Sequence, residues 1–188
     1  MLPLATVIYS TPRLIVRSFE SRDLMDVFAI LSDPEISKYE QWGVFDLDDV
    51  RHDLEVQAAV EPGTPKVWNE FAVTLRDGGT CIGNISFKRS EPEEAQAEIG
   101  FHFASAWHGK GYGKEAVAGL IDWLWGLKLH RIWAVADTRN LSSWKMMERL
   151  VMRREGFFRE NCFVKGAWAD EYLYALLEPE WRGLHAGM

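Results

Sequence analysis

The segment His108-Gly109-Lys110-Gly111-Tyr112-Gly113 restricts this chain more than any other. Three glycines at alternate positions permit positive φ and clear side chains from one face of the backbone. Directly behind them Ala116, Val117, Leu120, Ile121 and Leu124 recur at helical spacing. Successive N–H groups at a helix N-terminus converge on an anion, and Lys110, Lys114 and His108 add positive charge there. A pyrophosphate is the natural guest. No Gly-Lys-Ser/Thr follows at Walker spacing, and G-x-G-x-G is not the dinucleotide fingerprint. The competing reading is a flexible strand-to-helix turn.

The rest of the chain alternates around this turn. Leu14, Val16 and Phe19 mark a first strand; Asp23–Leu31 reads as a short helix capped by Ser21 and stopped at Asp33-Pro34. Asp48–Ala59 reads as a second helix with acids at its start. Strands Trp68–Leu75 and Thr80–Lys88 meet at Asp77-Gly78-Gly79, and a polar loop, Ser90–Ala95, leads to Gln96–Phe103. On that third strand Ile99, Phe101 and Phe103 share one face, and Glu98, Gly100 and His102 the other. Beyond the glycines come a strand, Arg131–Val135, a helix, Ser142–Leu150, and two strands, Arg153–Val164 and Glu171–Leu177, turning at Lys165-Gly166. This order predicts a mixed α/β (α+β) fold, an antiparallel meander feeding a parallel crossover. At 188 residues, 1–188 reads as a single domain.

Composition narrows the partners. The formal charge of −7 is a poor footprint for nucleic acid and suits a cationic partner. Cys81 and Cys162 have no metal-ligand spacing, so no metal is expected, and both fit a reducing, cytoplasmic setting. The N-terminus lacks a signal-peptide pattern, and the longest apolar run, Val117–Leu129, is interrupted by Asp122 and Lys128, so no membrane span is expected.

Five segments, in order and spanning about nine-tenths of the chain, carry a resemblance. Thr11-Pro12-Arg13-Leu14-Ile15-Val16-Arg17 and Ala97-Glu98-Ile99-Gly100-Phe101 look like an opening and a central strand. His108–Gly113 matches a pyrophosphate loop written Gln/Arg-x-x-Gly-x-Gly/Ala. Asn140-Leu141-Ser142-Ser143, running to Leu150, matches an Asn-x-x-Ser helix; Arg153-Arg154-Glu155-Gly156 with Asp170-Glu171-Tyr172 matches a closing hairpin. Together they resemble the GNAT superfamily of acyl-CoA-dependent N-acyltransferases, most closely its RimJ/RimL-like branch.

The resemblance implies a mostly antiparallel sheet of about seven strands, flanked by about four helices, with a splayed central strand pair. It implies acetyl-CoA as donor and direct attack by a primary amine in a ternary complex. His108, Gly109, Lys110, Gly111, Tyr112, Gly113 and Lys114 would hold the pyrophosphate. The backbone of Phe101, His102 and Phe103 would pair with the pantetheine arm and polarise the thioester carbonyl. Asn140 would fix the pantetheine, and Ser143 would protonate the leaving thiolate, with Tyr172 and Tyr174 as other donors; plain helix capping is the alternative for Asn140 and Ser143. Glu98, through water, is the expected general base, with Glu40 as rival and a paired strand carboxylate as the bland alternative. His102 reads as a strand histidine that could assist proton movement. Tyr39, Glu40 and Trp42, in the loop Lys38–Asp46, are expected to wall the acceptor site. The acceptor is a protein N-terminal amine of the ribosomal-protein-alanine kind, or a small amine such as an amino acid, polyamine or aminoglycoside-like antibiotic; a non-catalytic acyl-CoA-binding module is the reading from another class. A homodimer rests on the resemblance alone. Two positions depart from the pattern. His108 replaces Gln or Arg. Val151 replaces the glycine that ends the Asn-x-x-Ser helix, so that helix is expected to cap differently or run on.

Overall fold

The computed structural model describes residues 2, 5–90 and 95–185, leaving aside the side chains of 184 and 185; residues 91–94 of the expected polar loop lie outside it. The strand Cys81–Arg89 is buried on both faces from Cys81 to Phe87, so helices must cover the sheet on both sides. They do. In chain order the strands are β1 (Val7–Ser10), β2 (Leu14–Arg17), β3 (Trp68–Leu75), β4 (Cys81–Arg89), β5 (Gln96–Phe103), β6 (Arg131–Asp137), β7 (Arg153–Val164) and β8 (Ala167–Leu177). The helices are α1 (Leu24–Leu31), α2 (Pro34–Ser37), α3 (Leu47–Ala58), α4 (Tyr112–Trp125), α5 (Leu141–Arg149) and α6 (Glu178–His185). The strands make one sheet in the order β1-β2-β3-β4-β5-β6-β8-β7.

One face carries Ile85, Phe87, Ile99, Phe103 and Ile132 against Leu120, Ile121 and Leu124 of α4. The other carries Ala72 and Cys81 against Val27 and Ile30 of α1 and Val50 and Leu54 of α3. Each fully buried aliphatic side chain contributes roughly 1.5–3 kcal/mol, so α4 is the main weight holding the sheet's first face. Every neighbouring pair is antiparallel except β5 and β6. That parallel pair is short: only Gln96, Ala97 and Glu98 face Arg131, Ile132 and Trp133. Past Glu98 the two strands part, while β4 still pairs β5 out to Phe103 and β8 pairs β6 to Asp137. This is the expected splayed pair.

The sequence patterns miss or misplace several details. Among the described residues there are eight strands and six helices rather than about seven and about four. The additions are short or terminal. β1 packs the Tyr9 ring on Gly119, and the Tyr9 hydroxyl donates to the Ala116 carbonyl at 2.5 Å. α6 is anchored where Trp181 Nε1 donates to Asp122 Oδ1 at 2.6 Å. Pro34, expected only to stop a helix, also begins α2, with Asp33 as its cap. Ser21 is not a cap; it opens a 3₁₀ turn, Ser21–Asp23, closed reciprocally by Glu20 and Asp23. The expectation for Val151 is overturned. α5 ends at Arg149 and Val151 adopts φ 62°, in the left-handed region. Val151 N–H reaches the Glu148 carbonyl at 2.9 Å and Met152 N–H the Met147 carbonyl at 3.0 Å, the paired bonds of a Schellman ending. Burial of Leu150 and Met152 on either side holds a β-branched residue where glycine would rest without strain.

Candidate active site

The glycine turn forms a cradle of unpaired donors. Gly109 and Gly111 sit at φ 74° and 82°, and Gly111 leads straight into α4. The six N–H groups from Gly109 to Lys114 have no acceptor among the described residues, and they lie at the positive end of a fourteen-residue helix. Gly113 packs closely, so that a Cβ there would press on the Met146 sulfur at 3.1 Å and the Phe103 ring at 3.3 Å. The His108 ring is turned inward: Nε2 lies 2.8 Å from the Phe103 carbonyl, bracing the turn against the end of β5. Lys110 lies over the Trp107 ring at 4.6 Å.

A brace comes from the opposite end of the chain, and residue patterns alone do not assign it. Arg13 bonds Glu115 Oε2 through Nε at 2.6 Å and the Lys110 carbonyl through Nη1 at 3.1 Å. Its guanidinium also stacks 4.3 Å above the Tyr112 ring. Thr11 Oγ1 donates to Glu115 Oε1 at 2.6 Å. Burial alone would raise the Glu115 carboxyl, but the bonds from Thr11 and Arg13 outweigh it and hold that group below its ordinary range. The Thr-Pro-Arg triplet is therefore a clamp on the cradle as well as a strand opening.

The gap between β5 and β6 opens beside this cradle, with Phe101, His102 and Phe103 on one wall. Asn140 and Ser143 stand at the start of α5. Asn140 Oδ1 caps the helix, accepting from Ser143 N at 3.2 Å and Ser142 Oγ at 2.8 Å, so the capping role is real; its amide N–H groups are not used by it. Ser143 Oγ forms no hydrogen bond among the described residues. Tyr174 is fully engaged between Arg154 and Glu148, at 2.8 and 2.9 Å, and buried. Tyr172 packs its ring against Trp144 and under Arg154.

The opposite face of the same strands lines an open cleft of about 880 Å³, bordered by Glu98, Trp133, Phe158, Asn161, Glu171 and Leu173 among others. Burial raises the Glu98 carboxyl above its ordinary range; Lys88 opposes that and Glu171 adds to it. The loop Lys38–Asp46 folds over this face and is pinned to the β7–β8 hairpin. Gln41 Nε2 lies 2.9 Å from Cys162 Sγ, and Lys165 Nζ donates to the Trp42 carbonyl. Tyr39 lies beneath Arg139, whose Cζ is 5.7 Å from the Tyr39 ring centre, next in sequence to Asn140. Glu40 Oε1 stands 3.5 Å from His102 Nε2, and Trp42 meets the His102 ring edge-on at 5.5 Å. Thus Glu40, Trp42 and His102 come together, while Glu98 sits four residues back along β5.

One acid on this face escapes sequence reading. Glu70 of β3 accepts from Asn84 Nδ2 at 3.0 Å, and its carboxyl is pushed up to about 7 by burial, with Asp53 adding and His102 and Asn84 opposing. Its only signal is an acid in the middle of an otherwise strand-forming run, Trp68–Leu75. The described residues contain no cluster of metal-binding side chains and no helix long and apolar enough to cross a membrane.

Comparison with known proteins agrees with this geometry. A family profile described as an acetyltransferase (GNAT) domain matches residues 13–153. The chain is 38% identical over 176 residues, 92% of its length and 98% of the relative's, to the uncharacterized N-acetyltransferase YnaD of Bacillus subtilis (strain 168). It is 31% identical over 84 residues, 44% of its length and 43% of the relative's, to the [ribosomal protein uS5]-alanine N-acetyltransferase of Escherichia coli (strain K12). The crystal structure of a GNAT-family acetyltransferase from Bacillus anthracis superimposes with a TM-score of 0.81 at 34% identity, covering 91% of this chain and 98% of the other.

Proposed function

This chain belongs to the GNAT acetyltransferase family, and on that footing we propose that it moves the acetyl group of acetyl-CoA to the terminal amine of a protein or peptide. The observation that carries the reading is the cradle of six unpaired N–H groups, clamped by Arg13 and Glu115 at a helix N-terminus. A pyrophosphate satisfies those donors, and a backbone grip explains why His108 can replace the expected Gln or Arg while its own ring nitrogen is bonded to Phe103.

Acetyl-CoA supplies an activated acyl group. The chain's part is placement and proton handling. The splay lets the unpaired edge of Phe101–Phe103 hold the pantetheine arm and face an N–H toward the thioester carbonyl, where charge develops during attack. Asn140 donates through its unused amide N–H. Ser143 Oγ, with no hydrogen bond among the described residues, protonates the departing sulfur. Glu98, in the acceptor cleft, accepts a proton from the ammonium through water; its raised affinity for protons suits that role.

An open cleft flanked by the β7–β8 hairpin fits the end of a polypeptide, and one relative is named a ribosomal-protein-alanine N-acetyltransferase. The test is thiol release from acetyl-CoA, with mass spectrometry of the products, across short peptides with free N-termini, amino acids, polyamines and aminoglycosides. Acetylation at peptide N-termini is expected. Release with polyamines alone would transfer the reading to small cations. Tight CoA binding with no release from any amine would make the protein a binding module.

A further inference from the structure

β7 leaves register with β8 at the edge of the cleft. Phe158 pairs Glu171 and Cys162 pairs Ala169, so four steps along β7 match two along β8. The two extra residues make a bulge, which bends a strand and re-aims its side chains. Glu160 takes the strain: it sits at φ 51°, in the left-handed region, and its N–H donates to Asp170 Oδ1 at 2.8 Å. The next residue, Asn161, lines the cleft, and its Nδ2 donates to Glu171 Oε2 at 2.6 Å. That bond holds the half-buried Glu171 side chain by one oxygen. Oε1 accepts no hydrogen bond among the described residues.

Glu171 also stands apart in the charge of the cleft. Lys88 of β4 lies directly opposite Glu98 of β5, and Arg131, at the start of β6, is held by Glu155 at 2.7 Å. Lys66 and Arg89 are at that end too, where the Lys66 N–H donates to the Arg89 carbonyl at 2.9 Å. On the hairpin side, the described lining carries one charge, Glu171. Arg159 and Glu160 of the bulge are exposed and do not line the cleft. Asp137 of β6 is closed by Arg139, and Asp170 by the Glu160 N–H. Between Glu98 and Glu171 the floor is apolar, made by Trp133, Val135 and Leu173.

We propose that Glu171, set by Asn161, is the acceptor-binding residue, taking the incoming ammonium on Oε1 and presenting its nitrogen to Glu98. Glu171 pairs Asp137, beyond the point where β5 and β6 part, so it stands on the stretch of sheet beside the gap. The inference rests on acetyl transfer to an amine, as proposed above, and adds to it the residue that selects the charged form of the acceptor. A charge-assisted N–H···O bond holds the ammonium. When the proton passes through water to Glu98, the nitrogen loses its charge and that hold weakens, which frees the neutral amine to attack. Glu171 itself gains and loses no proton.

The two carboxylates are coupled. The Glu171 charge adds to the raised proton affinity of Glu98, so removing it weakens amine binding and lets Glu98 release its proton at lower pH. A residue that merely braced the hairpin would not move Glu98.

The first arm of the test needs no turnover: calorimetry of the tripeptide amide Ala-Gly-Gly-NH2, whose one charge is its terminal ammonium, on the full chain saturated with CoA. Wild type is expected to bind it roughly tenfold or more tightly than the same tripeptide acetylated at its N-terminus, and Glu171→Gln to lose that preference. Equal binding of the two tripeptides by wild type, or an unchanged preference in Glu171→Gln, overturns the proposal. The second arm is kinetic, with the amine that releases thiol fastest. Glu171→Gln should raise its KM roughly tenfold, leave the KM for acetyl-CoA within about twofold, and shift the acidic limb of kcat/KM to lower pH, because Glu98 loses a like charge nearby. Glu171→Asp, which keeps the charge, should return the limb to its wild-type position. Asn161→Ala should raise the amine KM about threefold with kcat and the limb in place, the mark of a positioning residue. An acidic limb that stays put in Glu171→Gln sinks the role of Glu171 while acetyl transfer stands. A tripeptide preference that depends on Glu171, with no thiol released by any amine, upholds the binding role and removes acetyl transfer instead.

Discussion

Glu70 carries a cost that should be visible in stability. Its carboxyl is raised from 4.5 to about 7 in the folded protein, so the native state binds its proton more tightly than the unfolded chain. The stabilisation is present in full below about 4.5 and is lost as pH rises through about 7. Glu70→Gln removes that loss. We expect the variant to match wild type in denaturant unfolding at pH 4 and to exceed it at pH 8 by roughly 3 kcal/mol. A difference independent of pH would contradict the assignment. Val151 is a second residue under strain. It is 52% exposed at φ 62°, so Val151→Gly removes little packing and relieves a left-handed cost of roughly 1–2 kcal/mol, partly offset by the freer unfolded chain. A rise in Tm of about 2 °C is expected by calorimetry. Both residues mark the limit of reading single positions. Valine disfavours positive φ on its own, but burial of Leu150 and Met152 decides the backbone. Glu70 looked like one acid among many, because nothing in its own segment reveals that Asn84 and Asp53 surround it.

At the level of elements, the patterns were most legible where they were long. The period of α4, the alternation of β5 and the glycines between them all appear where expected, because each is specified by many residues at once. β1, α2 and α6 are short and carry little pattern of their own; β1 and α6 are held by distant contacts, Tyr9 on Gly119 and Trp181 on Asp122, and α2 by its local Asp33 cap. The cradle itself was legible, but its clamp was not. Arg13 lies 102 residues from Glu115 and only the fold joins them. Arg13→Gln should therefore raise the KM for acetyl-CoA about tenfold with kcat nearly unchanged, since it loosens binding and touches no reacting atom. Gly111→Val should be more severe. A β-branched side chain at φ 82° must either strain the turn or rotate its N–H groups away. CoA binding by calorimetry is expected to disappear with circular dichroism unchanged; wild-type affinity would mean the cradle is not the pyrophosphate site.

At the scale of the whole molecule, the proposed function divides labour between the two faces of one sheet. On that reading donor handling falls to α4 and the start of α5, and acceptor handling to the Lys38–Asp46 loop and the β7–β8 hairpin, which are locked together through Gln41 with Cys162 and Trp42 with Lys165. Lys165→Met should free the loop, raising the KM for the amine while leaving that for acetyl-CoA within about twofold in steady-state kinetics. A parallel rise in both would show that the faces are not separable. The order of segments led only to the expectation that this loop walls the acceptor site; its closure onto the hairpin required three-dimensional contact. The bridge from Arg13 to Glu115 and the Lys110 carbonyl has a further consequence for how the protein matures. The glycine bend is braced only when Arg13, at the head of β2, docks on α4, whose Glu115 is synthesised 102 residues later. On the proposed role of the bend, competence to hold coenzyme A is acquired late in folding, and captured ligand should shield β1 and β2 from proteases.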